Sequence, residues 1–354
     1  MVYLDYAATT PMKFAPVEKL ELKNSHSPHA VGINSYKAIE QAREDIKRAV
    51  GFKSGIILFG GNATSLIKLL TEVIQKECNY LIYCSSHEHE AVYDIADIGY
   101  VEYDFEFEKS IVCHMLMNNI TGTVFNLNEL AKLKSDNSYL FVDCTAAIGH
   151  VEFPINFESI CDAWVCSAHK FYGPQNSGIL WLSDRFASRF NIKSEKDLSI
   201  GTLPVFNILA TRDAFLKCQN QKHIQESQER FKNYWLILSE LLDSYDIKHK
   251  RISKLECPEY NWIKWADNYA INAICFENIN ADALAAYLSS KGIYIGVGHS
   301  ACAGDSDYRV LRNFGLTEQE AQNTIRVSFG EDTTENDIVE LVNEIYNYKK
   351  KFLL

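Results

Sequence analysis

Between residues 36 and 182, short apolar runs alternate with longer amphipathic stretches, and this alternation limits the possible folds more than any other feature. Six runs have the length of strands: Ile56–Leu58, Tyr80–Cys84, Ile111–Met117, Tyr139–Val142, Ala163–Cys166 and Ile179–Leu182. The stretches between them carry a helical period, as in Ser35–Val50, Ala63–Gln75 and Leu127–Lys134. Strands that alternate with helices favour a mostly parallel sheet covered on both faces, so the sequence predicts an α/β fold.

The pattern changes near residue 245, where strands and helices no longer alternate regularly. The later segments predict strands Asn268–Phe276, Ile293–Gly298 and Ile325–Phe329 with helices Asp282–Lys291 and Thr334–Tyr348. Thr317 and Glu320 have the spacing of a capping box, which predicts the start of another helix. We therefore expect a large domain over residues 13–244, and a smaller α+β domain formed by residues 1–12 and 245–354.

Composition excludes several classes of function. The 354 residues include 46 acidic and 35 basic side chains, giving a net charge of −11, which argues against a nucleic-acid-binding surface. No apolar run is long enough to cross a membrane, so no membrane partner is expected. The first residues lack the basic and apolar regions of a secretory signal. We expect a cytoplasmic protein with reduced thiols.

Polar residues follow two of the predicted strands. Ser167, His169 and Lys170 come directly after the run that ends at Cys166, and a lysine in such a place suits a Schiff-base amine. Taken alone, a lysine in a loop is usually a surface residue. Asp143 follows the run that ends at Val142, where its carboxylate could pair with the pyridine nitrogen of pyridoxal phosphate.

Two further segments follow predicted strands. Gly60-Gly61-Asn62 opens a helical stretch and offers backbone N–H groups to a phosphate, although such glycine turns are common. His89, in the sequence His-Glu-His, could stack on a cofactor ring and transfer protons. The same triplet suggests a metal site, but its spacing is not that of a helical zinc motif, and no metal is expected.

One of the ten cysteines stands in a different setting from the others. Cys84, Cys113, Cys166 and Cys275 lie in apolar runs and are interpreted as inert core residues. Cys302 is surrounded by Gly, Ser and Ala in a predicted loop, where a nucleophilic thiol would be accessible. An incidental loop cysteine is the alternative.

Together these motifs resemble those of the cysteine desulfurases, in the class V aminotransferase group of pyridoxal-phosphate enzymes. The matching segments are Tyr3–Pro11, Asn24–Gly32, Glu88–Val92, Asn118–Thr123, Asp143, Ser167–Lys170, Gly201–Pro204, Ser300–Cys302 and Ile325–Gly330. The resemblance runs from end to end and implies the fold-type-I architecture, in which a mostly parallel sheet is joined by a smaller α+β C-terminal domain. It also implies a homodimer.

The resemblance assigns roles to individual residues. It implies catalytic roles for Lys170, Cys302 and His89, with Cys302 accepting sulfur from L-cysteine as a persulfide. It implies that pyridoxal 5′-phosphate is bound by Gly61, Asn62, Asn119, Asp143, Ser167, His169 and, from the other subunit, Thr202. It implies that the substrate is bound by Arg326, Ala8 and Thr9. The sulfur would pass to an acceptor protein.

Several positions depart from the family pattern, and three of them concern the cofactor site or its motifs. Asn62 replaces a threonine in the phosphate turn, Ile120 replaces a glutamate, and Ala146 replaces a glutamine that would bond the cofactor. Two alternatives therefore stay open. One is another class V enzyme, such as a selenocysteine lyase, a cysteine sulfinate lyase or an aminotransferase, and the other is a non-catalytic scaffold with the same fold.

Overall fold

The computed structural model describes residues 1–14, 23–77, 80–100, 109–132, 134–252, 268–298 and 308–352. The chain forms two compact units. The large unit comprises Thr10–Met117 and Asn126–Ile224, and the small unit comprises Met1–Thr9, Asn118–Phe125 and Gln225–Leu354. The domain boundaries expected from the sequence, after residues 12 and 244, stay a prediction.

The elements of the described residues are numbered in chain order. The strands are β1 Val2–Leu4, β2 Ile56–Gly60, β3 Leu81–Ser85, β4 Ile98–Tyr100, β5 Ser110–Met115, β6 Tyr139–Asp143, β7 Ala163–Ser167, β8 Gly178–Leu182, β9 His249–Ile252, β10 Ile271–Phe276, β11 Ile293–Val297 and β12 Thr324–Ser328. The α-helices are α1 Ala30–Ala49, α2 Ala63–Glu77, α3 Glu90–Tyr93, α4 Leu127–Lys132, α5 Phe157–Ile160, α6 Asp184–Arg189, α7 Val205–Cys218, α8 Gln221–Ser244, α9 Ala281–Ser290, α10 Arg309–Asn313, α11 Glu318–Gln322 and α12 Glu335–Phe352. Short 3₁₀ helices span Ala168–Lys170 and Glu195–Leu198.

The large unit is built on a mostly parallel sheet, which confirms the predicted fold class. Within the described residues its strand order is β2-β8-β7-β6-β5-β3-β4. Neighbouring strands from β7 to β4 pair in parallel. Near the other edge, β8 is antiparallel to both of its neighbours, β7 and β2. All residues of β5, β6, β7 and β8 are buried, as expected for a sheet covered on both faces.

Helix α2 shows how the sequence period produces this packing. Leu66, Leu70 and Ile74 lie on one face of α2 and join Val165 and Leu180 of the sheet in one hydrophobic core. Their spacing of three to four residues puts them on the same side of a helix. Burial of this apolar face, more than intrinsic helix propensity, stabilises α2.

The small unit contains a sheet with strand order β1-β11-β12-β10-β9 among the described residues. β1 and β11 are parallel and the other neighbours are antiparallel. The predicted capping box is confirmed, because Thr317 and Glu320 bond each other's backbone N–H groups at the start of α11. No helix in the described part of the chain combines the length and the apolar character needed to cross a membrane.

The strands that the sequence did not predict are short or polar. β1 and β4 have three residues each, which is too few to show an alternating pattern. β9 has the sequence His-Lys-Arg-Ile, and only Ile252 is fully buried. It is a strand because it pairs with β10, so tertiary contact rather than local pattern decides its conformation.

Candidate active site

The predicted lysine lies in a tight turn at the carboxyl end of β7. Strand β7 ends at Ser167, and Lys170 is the last residue of the 3₁₀ helix that follows at once. The chain then passes through Tyr172, whose φ of 64° lies in the left-handed region, and through Gly173. A Cβ at position 173 would lie 2.8 Å from the Ala168 Cβ, so the turn requires glycine there.

His169 carries no charge at neutral pH. Burial lowers the pKa of its imidazole to about 4, and the positive charge of the adjacent Lys170 lowers it further in the same direction. A neutral imidazole still has one N–H group, so it can donate a hydrogen bond to an anion without adding a charge beside the lysine.

Asp143 lies beside the lysine turn in the large sheet. It is the last residue of β6 and pairs in register with Val165 of the neighbouring parallel strand β7. Its side chain is buried, with Oδ1 accepting the N–H of Thr145 at 2.8 Å.

The predicted phosphate turn joins β2 to α2. The Asn62 Oδ1 accepts the Ser65 N–H at 2.8 Å, and the Ser65 hydroxyl accepts the Asn62 N–H at 3.0 Å, so the two residues cap the helix reciprocally. The next N–H group, that of Ala63, donates to the Ser167 hydroxyl at 2.8 Å. Because the Asn62 carbonyl is used by the helix, its NH₂ group is the part that can serve an anion.

The hydrogen bond between Ala63 and Ser167 links this turn to the end of β7. The Ser167 hydroxyl accepts there, so its own proton can still be donated. Gly61 also lies in a restricted place, since a Cβ there would be 2.8 Å from the Asn176 Oδ1. The predicted phosphate turn and the turn that carries Lys170 are thus brought together in the large unit.

His89 is the N-cap residue of the short helix α3. Its Nδ1 accepts the N–H of Ala91 at 3.1 Å, which requires the ring proton to be on Nε2 in the neutral form. The preceding residue, Glu88, is fully buried and accepts the N–H of Met115 at 2.5 Å. Met115 is the register partner of Asp143, so Glu88 connects the histidine segment to the strand beside β6.

The predicted substrate residues lie in the small unit. Arg326 on β12 is only 3% exposed, and its Nη2 donates to the Asp5 Oδ1 at 2.8 Å. Its Nη1 donates to the backbone oxygen of Asn119 at 3.1 Å. Each terminal nitrogen carries two hydrogens, so with respect to the residues that the structure describes one on each remains for a carboxylate. The predicted contact between the Asn119 side chain and the cofactor stays a prediction.

Ala8 and Thr9 belong to the turn that follows Asp5. The Ala8 N–H donates to the Asp5 backbone oxygen at 3.0 Å, and the Thr9 backbone oxygen accepts the Tyr3 hydroxyl at 2.8 Å. Ser328 of β12 accepts the N–H of Ala7 at 2.9 Å. The opening motif of the sequence is therefore attached to the strand that carries Arg326.

Thr202 and Cys302 complete the predicted set. Thr202 is exposed just before α7, and its role toward another subunit stays a prediction. Cys302 lies outside the described residues. The four cysteines interpreted as core residues are buried. Burial raises the pKa of the Cys113, Cys166 and Cys275 thiols. These thiols are therefore poor nucleophiles.

Sequence reasoning missed Asp5, which bonds Arg326 in the small unit. It also missed Thr10 and Glu88, which bond the lysine turn and the strand beside β6 in the large unit. Asp5 and Thr10 stand inside the opening motif, and Glu88 directly precedes His89. A buried arginine needs a counter-charge, so Arg326 could have prompted a search for a nearby acidic partner. Nothing in the sequence indicates which acidic residue that would be, because Asp5 and Arg326 are far apart along the chain.

Comparison with known proteins identifies the family. The family model described as aminotransferase class V matches residues 2–341. The chain belongs to this family. It is 27% identical over 395 residues to the cysteine desulfurase IscS of Buchnera aphidicola subsp. Baizongia pistaciae, with 98% of this chain and 93% of that protein covered. It is 28% identical over 403 residues to the cysteine desulfurase IscS of Dictyoglomus turgidum, covering 99% and 98%.

Solved structures show the same fold. A NifS-like protein superposes with a TM-score of 0.80 at 22% identity, and 99% of each chain is covered. A NifS-like protein from Rickettsia africae gives a TM-score of 0.79 at 21% identity, again over 99% of both chains. These likenesses confirm the predicted fold-type-I architecture.

Class V aminotransferases use pyridoxal 5′-phosphate, and this is the cofactor of the chain. The residues of the large unit fit it. Asp143 offers a buried carboxylate to the ring nitrogen, and Lys170 offers an amine to the aldehyde. The Ser167 hydroxyl and the NH₂ group of the Asn62 side chain offer neutral hydrogen-bond donors to the phosphate.

Proposed function

We propose that the protein is a cysteine desulfurase that converts L-cysteine to L-alanine and delivers the sulfur to an acceptor protein. The observation that carries the proposal is the juxtaposition of Asp143 and the Ser167–Lys170 turn at the carboxyl ends of neighbouring parallel strands. Ligands of open α/β sheets bind at such strand ends. The desulfurase names of the relatives support the choice of substrate.

The large unit would hold the cofactor and move the proton. When bound, pyridoxal phosphate supplies an electron sink for negative charge on the substrate α carbon. Lys170 holds the cofactor through its amine and, once released, removes the α proton of the substrate. Asp143 keeps the pyridine nitrogen protonated, and neutral His169 donates a hydrogen bond to the phosphate. His89 has its ring proton on Nε2. It is proposed to stack on the cofactor ring and to transfer protons there.

Arg326 would bind the substrate carboxylate. Asp5 and Asn119 each accept one N–H of its terminal nitrogens. The second N–H of each nitrogen is proposed to donate to the two carboxylate oxygens. Because Arg326 is 3% exposed, this pairing takes place with little water present and is correspondingly strong. Ala8 and Thr9 follow Asp5 and are proposed to line the same carboxylate site.

Cys302 would carry the sulfur. Its thiolate attacks the substrate sulfur, so that a sulfur–sulfur bond forms while the carbon–sulfur bond breaks and its electrons return to carbon. One proton added to that β carbon and one returned to the α carbon then give alanine. The assignment rests on the small residues around Cys302 in the sequence and on the family resemblance.

A homodimer is part of the proposal. Exposed apolar side chains on α1 and α7, namely Ile33, Tyr36 and Phe206, lie in the same unit as exposed Thr202. Helices α1 and α7 pack against each other, and an exposed apolar patch that spans neighbouring elements often marks a protein–protein interface. Burial against a second subunit would cover them and would bring Thr202 to the partner's cofactor phosphate.

The test uses the variants K170A and C302A with purified, cofactor-loaded protein and L-cysteine. We expect K170A to lose the visible absorbance of the lysine-bound cofactor, whereas C302A keeps it but forms no protein persulfide. Retention of the absorbance in K170A would contradict the role of Lys170. Persulfide formation by C302A would contradict the role of Cys302 and leave the choice among the other class V activities open.

A further inference from the structure

The strained turn that carries Lys170 is held by a residue from the opening motif of the chain. Thr10 is 8% exposed, and both its N–H and its hydroxyl donate to the His169 backbone oxygen, at 2.8 and 2.9 Å. The same hydroxyl accepts the Tyr172 N–H at 2.7 Å. One side chain therefore bridges the backbone on both sides of Lys170.

The bridge lies where the backbone is strained. Tyr172 has a φ of 64°, a conformation that a bulky residue adopts only when its surroundings impose it. Its N–H is held by Thr10, and its carbonyl accepts the N–H of Lys13 at 3.0 Å. Residues 10 and 13 thus fix both polar groups of the strained residue two positions after the lysine.

We propose that Thr10 is a positioning residue that sets the orientation of Lys170 through the Tyr172 N–H and the His169 carbonyl. The proposal deepens the proposed function, on which the role of Lys170 rests. An amine must approach its target along a narrow range of directions, and a shift of about 1 Å in a reacting group can lower a rate about 100-fold. A hydroxyl that holds the turn on both sides restricts such shifts.

Valine tests the hydroxyl, because it has nearly the shape of threonine but neither donates nor accepts. In T10V the Tyr172 N–H loses its acceptor, while in T10S the bridging oxygen is retained. The matched control is T71V in α2, where a buried threonine hydroxyl donates to the Ile67 carbonyl at 2.9 Å. All three variants are made in the full chain.

The first measurement uses the cofactor-free protein and follows hydrogen exchange of the Tyr172 amide. We expect slow exchange in the wild type, T10S and T71V, and exchange at least about tenfold faster in T10V, because a lost hydrogen bond of about 1.4 kcal/mol corresponds to that factor. Unprotected exchange of this amide in the wild type would overturn the proposal, even if T10V does not fold.

The second measurement uses the loaded enzyme and titrates the visible absorbance of the lysine-bound cofactor with pH. We expect T10V to shift the midpoint and to lower kcat by about 10- to 100-fold, with T10S close to the wild type. An unchanged midpoint in T10V, or equal damage in T10S and T10V, would overturn the proposal. If the wild type does not act on cysteine while T10V still changes exchange and midpoint, the proposed function fails and the role of Thr10 stands.

Discussion

Replacement of Asp5 by alanine tests the arrangement around Arg326. The carboxylate of Asp5 accepts the Arg326 Nη2 at 2.8 Å, and the two side chains are 22% and 4% exposed. Removing one partner of a buried ion pair leaves an uncompensated charge, which costs about 3–5 kcal/mol when both groups are fully buried. Because Asp5 is partly exposed, water can replace some of the lost interaction, and we expect D5A to lower the free energy of unfolding by about 2–3 kcal/mol.

The assay is urea unfolding at neutral pH, with D5N and E277A measured beside D5A. D5N retains an oxygen that can accept from Nη2 and should lose about 1 kcal/mol. E277A breaks the pair between Glu277 and Lys248, which are 56% and 74% exposed, and should change stability by less than about 1 kcal/mol. We also expect a higher KM for cysteine in D5A. A loss in D5A no larger than that in E277A would refute the account of a buried, charge-dependent pair.

Two further predictions concern stability. In G330A the new Cβ would overlap the ring of Tyr6, so we expect a loss of about 1–3 kcal/mol in urea unfolding. G99A, whose nearest atom would be 3.5 Å away, should be near neutral, and equal losses in the two variants would contradict the packing described. Burial lowers the pKa of His114 to about 4, so its contribution to stability is complete above the ordinary value of about 6.5 and is lost as pH falls toward 4. Between pH 7 and 5 the wild type should lose about 2 kcal/mol more than H114Q, and identical pH dependence in the two proteins would contradict this.

The strand pattern of the large unit could be predicted because buried parallel strands have continuous apolar sequences. The run ending at Val142 and the run ending at Cys166 each extend by one polar residue, Asp143 and Ser167, which pair within the sheet before the chain turns. A polar residue at the end of a strand carries no apolar signal, so the sequence gives the boundary less accurately than the element.

The sequence motifs predict which residues carry the chemistry, but they do not indicate which residues hold those side chains in place. Lys170 and Arg326 belong to recognisable motifs, but the partners Thr10 and Asp5 act through contacts with residues more than a hundred positions away. Such contacts depend on the folded chain, and a threonine or an aspartate in a loop has many other uses. The structure is therefore needed to find the positioning residues.

Product analysis of the cofactor-loaded wild type with L-cysteine tests the central claim most directly. The account predicts that alanine forms in step with sulfur bound to the protein or released as sulfide, and that keto acid does not accumulate. Keto acid in place of alanine would indicate transamination, and the absence of any cysteine turnover by fully loaded protein would contradict the proposed desulfurase function.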